Sequence, residues 1–199
     1  MRLNILLLFI LVIFCNSCSE KTDYYNLPSL SSDKNVNAVI EIPAGTNKKI
    51  EYNKKIRTFE IDKKNNKDRV IEFLPYLGNY GFIPSTYSDP KKGGDGDALD
   101  VLVLSENVEI GTVMEITPIG MLKLIDKGEI DYKIIAVPSD KEKKIIDIES
   151  FNGLTKDFPE VKNMIEIWFL NYNKEDEAII NGWENEKVAF EEIYKNKLQ

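Results

Sequence analysis

The sequence predicts a mainly β protein, in which a β-barrel carries helices packed on its outside. Short β-branched and apolar runs, separated by turn residues, begin at Val36 and continue to Val137. Many short strands with breaks between them are typical of barrels and sandwiches. In the last third, apolar residues repeat at helical spacing from Val161 to Tyr172. The length of 199 residues fits one domain with its own core.

Eight apolar runs are the predicted strands, and turn residues such as Gly93-Gly94 and Lys127-Gly128 separate them. The predicted strands cover residues 36–42, 49–52, 56–61, 70–74, 99–104, 113–119, 121–125 and 132–137.

Two helices are predicted after the strands. Asp157 and Glu160 have the spacing of a capping box, and Pro159 lies in the first turn. The first helix is therefore expected to begin there. The second is expected from about Glu184 to Lys195.

The N-terminus has the layout of a secretory signal. Arg2 precedes an almost entirely apolar run at residues 3–14, which is short for a transmembrane helix. The sequence around Cys18 resembles a bacterial lipoprotein cleavage site, with Cys18 as the acylated residue, although Cys15 stands where leucine is usual. A plain signal peptide and an uncleaved anchor are the alternatives.

Three segments are predicted on this basis. Residues 1–17 are a lipoprotein-type signal peptide, residues 18–35 are a polar tether, and residues 36–199 are the folded domain. The expected location is the cell envelope, as a periplasmic or surface-exposed lipoprotein that contacts the membrane only through its anchor. A cytoplasmic location is the alternative, if the segment is not a functional signal.

The composition excludes several kinds of site. The chain has no histidine, and both of its cysteines, Cys15 and Cys18, lie near the N-terminus. Ser-His-Asp triads, Cys-His pairs and His-ligated zinc are therefore excluded. A metal in the folded domain needs oxygen ligands, which favours Mg²⁺, Ca²⁺ or Mn²⁺. The net charge of −7 argues against a nucleic-acid partner.

The strongest chemical signal is a cluster of aspartates, Asp95, Asp97 and Asp100, which leads into an apolar run. Three carboxylates within six residues repel one another unless a cation compensates them. Gly96 allows the backbone to approach a ligand closely. An exposed Asp/Gly turn is the alternative interpretation.

A second acidic cluster lies between two predicted strands. Asp126 and Asp131 can face each other across a hairpin, and Lys133 projects from the same face as Asp131 because strand side chains alternate. The alternative is a charged surface hairpin.

Two earlier segments contain further candidate site residues. These are Glu41, Lys49 and Glu51 in the first segment, and Arg69, Tyr76 and Tyr80 in the second. For the tyrosines, the alternative role is that of core aromatics with hydroxyls at the rim.

In this order the elements resemble the soluble inorganic pyrophosphatases of family I, over residues 36–194. The matching positions are Glu41-Ile42-Pro43, Lys49, Glu51, Arg69, Asn79-Tyr80-Gly81, Asp95, Asp97, Asp100, Asp126, Asp131, Lys133 and Gly182-Trp183-Glu184-Asn185. Ala98 stands where the family more often has proline. The resemblance implies an OB-fold-like, five-stranded closed barrel with flanking α-helices.

The resemblance also implies the chemistry, which is hydrolysis of pyrophosphate to two phosphates by direct attack of water, with several Mg²⁺ ions. Mn²⁺ is expected to substitute, Ca²⁺ to inhibit, and the protein to form a homo-oligomer. Asp97 is the implied catalytic base. The implied metal ligands are Glu41, Glu51, Asp95, Asp100, Asp126 and Asp131. The implied substrate-binding residues are Lys49, Arg69, Tyr76, Tyr80, Lys133, Tyr172 and Lys174.

The chain departs from the family pattern in two places. Asn173 follows Tyr172 where the family usually has lysine, and we expect Lys174 to compensate. The signal sequence is the second departure, because most relatives are cytoplasmic. Two other functions remain open, a metal-dependent phosphatase for nucleotides or polyphosphate and a non-catalytic lipoprotein that binds calcium or phosphate.

Overall fold

The structure is a computed structural model that describes residues 21–173 and 177–198. The chain is mainly β with a few helices, as predicted. The strands are β1 (Val36–Ile42), β2 (Ile50–Asn53), β3 (Thr58–Ile61), β4 (Lys63–Lys64), β5 (Lys67–Asp68), β6 (Asn79–Phe82), β7 (Asp100–Val103), β8 (Val113–Asp126), β9 (Glu129–Ile130), β10 (Lys133–Pro138) and β11 (Ile179–Asn185). The α-helices are α1 (Phe151–Asp157), α2 (Pro159–Asn171) and α3 (Glu186–Lys195). Short 3₁₀ turns cover Tyr24–Asn26, Pro90–Lys92 and Lys141–Lys143.

Seven strands form the main sheet. Five of them form a continuous series in which each strand pairs with the next. β1 pairs with β6, β6 with β7, β7 with β10, and β10 with β8, and β8 pairs in turn with β1. The β7–β10 pair is parallel and the other four are antiparallel. Because β8 is 14 residues long, it also reaches β11 and β9 with its later residues.

Apolar clusters cover both faces of this sheet, and each cluster includes helix residues. All six residues of β10 are buried, and the four from Ile134 to Val137 alternate between two apolar clusters. Ile135 belongs to the cluster that contains Trp168 of α2, whereas Ile134 belongs to the cluster that contains Ile193 of α3. The strand is therefore apolar on both faces, as expected for a strand covered on both sides.

Two strand predictions were wrong. Residues 70–74 form no strand, and only Val70 makes an isolated bridge, to Lys48. The break predicted at Gly120 is absent, because β8 continues through it. An added Cβ at Gly120 would lie 3.0 Å from the Phe151 ring and 3.2 Å from the Glu184 carbonyl oxygen. This glycine therefore serves close packing rather than a turn.

The predicted capping box is also wrong. Asp157 is the last residue of α1, so it cannot cap the next helix. α2 begins at Pro159, its N-cap is Phe158, and no side chain caps it. The second predicted helix is present as α3, with Asn185 as an N-cap that accepts a hydrogen bond from the Val188 N–H.

The segment before β1 packs against the domain from Lys21 onward, which differs from the tether predicted for residues 18–35. The Tyr24 ring lies 5.5 Å from the Tyr52 ring and 5.1 Å from the Phe59 ring. The buried Ser29 accepts a backbone hydrogen bond from Asn37 in β1. The signal segment and Cys18 lie outside the described residues. Between residues 21 and 198, leaving out 174–176, no helix has the length and apolar character needed to cross a bilayer.

Candidate active site

One pocket of about 360 Å³ collects the predicted site residues that lie in the described part of the chain. These lining residues are Glu41, Lys49, Glu51, Arg69, Tyr76, Tyr80, Asp95, Asp97, Asp100, Asp126, Asp131, Lys133 and Tyr172. The structure thus brings side chains from segments far apart in sequence to one place. Lys174 and Cys18 lie outside the described residues, so the predictions made for them remain predictions.

The strand register explains part of this convergence. Asp100 opens β7 and Lys133 opens β10, and the two residues are direct neighbours in the parallel pair. Asp131 lies two residues before Lys133, so its side chain projects on the same side. Tyr80 reaches the same point from β6, the other neighbour of β7.

The loop before β7 is held by hydrogen bonds of its backbone groups. The Asp97 N–H donates to Asp95 Oδ1 at 3.1 Å, and the Asp97 carbonyl accepts from the Ser88 N–H at 2.7 Å. Gly96 has φ +86°, which glycine adopts without strain. A Cβ at Gly94 would lie 2.3 Å from Ser88 Oγ. The two glycines therefore set the path that presents Asp95 and Asp97 to the pocket.

A buried ammonium group lies at the centre of the pocket. Lys133 Nζ donates to Asp100 Oδ2 at 2.5 Å and also to Asp131 Oδ1. The Tyr80 hydroxyl donates to the same Asp100 oxygen at 2.6 Å. Burial lowers the pKa of Lys133, but the carboxylates of Asp100 and Asp131 outweigh it and raise the pKa above its usual range. Lys133 is therefore held in its charged form.

Burial and the nearby charge of Asp100 raise the pKa of three surrounding carboxyl groups. Burial, together with the charge of Asp100, raises the pKa of Glu41 to about 8. The same two causes raise the pKa of Asp131 to about 6 in spite of Lys133. Burial and the charge of Asp100 also raise the pKa of Asp95.

The donor chemistry of these side chains suits a hard divalent cation. Asp126 Oδ1 is buried and has no hydrogen-bond partner, so it is one oxygen left for such an ion. In the described part of the chain, no three acidic side chains converge closely enough to hold a metal ion as they stand. The ammonium of Lys133 lies between Asp100 and Asp131. It therefore lowers the repulsion between these two carboxylates when no metal ion is bound.

Basic and aromatic groups line another part of the pocket. Lys49 and Arg69 are joined through the backbone, because the Lys49 N–H donates to the Arg69 carbonyl at 2.9 Å. Lys49 Nζ lies 2.8 Å from Glu51 Oε1, so Glu51, predicted as a metal ligand, faces a lysine in this structure. The Tyr172 ring stacks on Trp168 at 4.9 Å, which fixes its position at the pocket edge.

Two contacts in this region were not predicted from the sequence. Lys54 Nζ donates to Asp97 Oδ1 at 2.9 Å and lies 3.9 Å from the centre of the Tyr25 ring. Asp62 Oδ2 accepts a hydrogen bond from Arg69 at 2.9 Å. No local pattern marks Lys54, because its partner Asp97 is 43 residues away in the sequence.

Comparison with known proteins identifies the family. The family model for inorganic pyrophosphatase matches residues 38–198. The inorganic pyrophosphatase of Saccharolobus solfataricus is 36% identical over 176 residues, which cover 84% of this chain and 93% of that protein. The enzyme of Neisseria meningitidis serogroup A is 43% identical over 106 residues, so that the match spans about half of each protein, 53% of this chain and 54% of the relative.

A solved structure agrees over nearly its whole length. The crystal structure of inorganic pyrophosphatase from Thermus thermophilus has a TM-score of 0.75 and 29% sequence identity, and the match covers 88% of this chain and 97% of that one. The family match includes the pocket-lining residues from Glu41 to Tyr172. The chain therefore belongs to the family of soluble inorganic pyrophosphatases (family I).

Proposed function

We propose that this protein hydrolyses inorganic pyrophosphate to two phosphates in the described pocket, in a Mg²⁺-dependent reaction. The observation that carries the proposal is the charge pattern of that pocket. Eight carboxylates and five basic side chains line one cavity, so that acidic side chains outnumber basic ones. A small polyanion that arrives with divalent cations matches both parts of this lining.

The carboxylates divide into two sets of proposed metal ligands. Asp95, Asp100 and Asp131 would hold the first ion, with Asp100 shared with a second. Glu41, Asp126 and Asp131 would hold ions that arrive with the substrate, and Glu51 would assist when Lys49 turns to the substrate. When bound, Mg²⁺ neutralises phosphoryl oxygens and lowers the pKa of a coordinated water. Mn²⁺ is proposed to substitute, and Ca²⁺ to inhibit because of its larger, more flexible coordination.

The chain's own residues supply the remaining chemistry. Asp97 accepts the proton of the attacking water, while the water oxygen bonds to one phosphorus and the bridging P–O bond breaks. Lys49, Arg69 and Lys133 stabilise the charge that develops on the departing phosphate. The hydroxyl groups of Tyr76, Tyr80 and Tyr172 are proposed donors to phosphoryl oxygens. No covalent phosphoenzyme is needed, because water attacks directly.

The activity can be tested by phosphate release from the protein lacking residues 1–20, since residues 21–35 pack on the domain. We expect turnover of pyrophosphate with Mg²⁺, and loss of turnover in EDTA or in excess Ca²⁺. Nucleotides and polyphosphate serve as comparison substrates. Robust turnover in EDTA would refute the metal-dependent mechanism, and preferred hydrolysis of nucleotides or polyphosphate would refute the substrate.

Lys174 is proposed to supply the cation that the family usually places at Asn173. Tyr172 is the C-cap of α2, so the helix ends before Asn173. We expect Lys174→Ala to reduce kcat/KM by an amount equivalent to about 1–3 kcal/mol, the scale of one charge-assisted hydrogen bond. Asn173→Lys should gain little. If Lys174→Ala is silent and Asn173→Lys sharply lowers KM, then Lys174 does not bind substrate.

We also infer that the five strands β1, β6, β7, β10 and β8, each paired with two others of this set, close into an OB-fold-like barrel. The pairing of β8 back to β1 supports this inference, since it leaves each of the five strands with two neighbours. A closed barrel removes exposed edges.

We propose that the protein is a homo-oligomer. Met164, Ile167 and Leu170 are 51%, 55% and 44% exposed, and they recur at three-residue spacing on α2. Such an apolar stripe supports contact with another subunit.

We propose that the protein is a lipoprotein of the cell envelope, anchored through Cys18. The apolar run at residues 3–14 followed by a cysteine supports this. We expect Cys18→Ser to move the protein from the membrane fraction to the soluble fraction without lowering its intrinsic activity, because acyl chains supply the anchoring. Retention on membranes after a high-salt wash would contradict the proposal.

A further inference from the structure

The start of the described chain is attached to the turn between β2 and β3. Lys21 Nζ donates to the Ile56 carbonyl at 3.1 Å, and the Arg57 guanidinium donates to the Lys21 carbonyl at 3.5 Å. Arg57 also pairs with Asp23 at 3.2 Å. The point where the chain enters the domain is thus held against residues 53–57.

This turn is basic in an acidic protein. Residues 53–57 contain Lys54, Lys55 and Arg57, and Lys21 lies beside them, whereas the whole chain has a net charge of −7. Asp23 offsets Arg57, and Asp97 offsets Lys54. Lys21 and Lys55 are exposed and leave the turn with an excess of positive charge.

An exposed apolar side chain lies within the same turn. Ile56 is 49% exposed and stands between Lys55 and Arg57. Cations that flank an apolar side chain match the two layers of a bilayer surface, which are anionic headgroups and the acyl region below them.

The proposed lipid anchor determines which face of the domain meets the membrane. Three residue steps separate Cys18 from Lys21, and an extended chain spans at most about 3.6 Å per residue. An acylated Cys18 therefore holds Lys21 within about 11 Å of the membrane surface. The turn that Lys21 contacts must lie at a similar height.

We propose that Lys21 together with residues 53–57, the docking turn, forms a membrane-docking surface for bilayers with anionic headgroups. This inference rests on the proposed lipid anchor and is independent of the proposed hydrolysis. Lys21 and Lys55 face the headgroups, and Ile56 enters the interfacial region. Because Lys54 of the same turn contacts Asp97, docking places that edge of the pocket beside the membrane.

The test uses the full-length protein, purified with its native N-terminal modification and reconstituted into vesicles of equal parts phosphatidylglycerol and phosphatidylcholine. Fluorescent labels are attached at Ile56→Cys and, as a matched control, at Ile145→Cys. Ile145 is 53% exposed on the segment between β10 and α1. Brominated lipids are the quenchers. We expect lipid quenching of the label at position 56 and little at position 145.

Charge reversal tests the role of the lysines. Adding Lys21→Glu and Lys55→Glu to the Ile56→Cys protein should weaken docking at least about 5-fold, the effect of losing one cation at an anionic surface. Lys141→Glu with Lys143→Glu, on an exposed turn, is the matched control and should leave the quenching unchanged.

Two results would overturn the proposal, and they are distinguishable. Equal quenching at positions 56 and 145 in a protein whose Cys18 carries acyl chains, verified by mass spectrometry, refutes the docking surface and leaves the lipoprotein proposal intact. Absence of acyl chains on Cys18 refutes the lipoprotein proposal and the docking geometry derived from it. Neither result bears on pyrophosphate hydrolysis.

Discussion

Asp97→Asn is expected to lower kcat by about 10²–10⁴-fold, the range for loss of a general base. Asparagine retains an oxygen that can accept the hydrogen bond from Lys54, so the loop should keep its shape. It cannot accept a proton from water at neutral pH. The side chain of Asp97 is 70% exposed toward the pocket, so the substitution buries no new polar group.

The measurement is Mg²⁺-dependent phosphate release, combined with Mg²⁺ binding by calorimetry. Asp89→Asn is a matched control, because Asp89 lies in the same region and accepts a backbone hydrogen bond that asparagine can also accept. The control should retain nearly full activity, and both variants should bind Mg²⁺. If Asp97→Asn stays within threefold of the wild-type kcat, Asp97 is not the base.

Lys133→Met should destabilise the metal-free protein by about 3 kcal/mol, the lower end of the range for removing one partner of a buried ion pair. The methionine fills a similar volume, so the loss is mainly electrostatic. Asp100 and Asp131 would then face each other without the ammonium that now contacts both. Their side chains retain 24% and 14% exposure, which favours the lower value.

Urea unfolding in EDTA and in Mg²⁺ measures this effect. Mg²⁺ should raise the stability of the variant, because a ligand that binds only the folded state stabilises it. Lys123→Met is the control, since Lys123 pairs with Glu184 at 3.3 Å at a partly exposed position on β8. Such a pair is worth at most about 1 kcal/mol. Equal losses in EDTA for Lys133→Met and Lys123→Met would show that Lys133 is no buried counter-ion.

Much of the site could be predicted because its residues lie in short, ordered motifs. The aspartates from Asp95 to Asp100 are close in sequence, so their mutual repulsion is evident without a structure. Strand alternation correctly placed Lys133 beside Asp131. The contact of Lys133 with Asp100, 33 residues earlier, required the parallel pairing of β7 with β10.

The errors in the fold arose where packing overrides a local signal. A glycine at position 120 predicts a turn. The strand is instead continuous there, and glycine is required because Phe151 and the β11 backbone lie too close for a side chain. Residues 70–74 have the composition of a strand, yet Val70 alone makes a bridge. β11 was missed because its residues are mostly exposed or half-buried and show no alternation.

By itself, the sequence determined the mainly β class, the helical C-terminal third, the family and the candidate residues of the site. These follow from periodicity and from motifs of a few residues, which act over one strand or loop. Only the tertiary structure decided that Lys54 meets Asp97, that Lys133 lies between two carboxylates, and that Lys21 rests on the turn at Ile56. The contacts of Lys54 with Asp97, of Lys133 with Asp100 and of Lys21 with Ile56 join residues 33 to 43 positions apart. Strand pairing and turn geometry determine which distant residues meet, and a local sequence pattern does not contain this information.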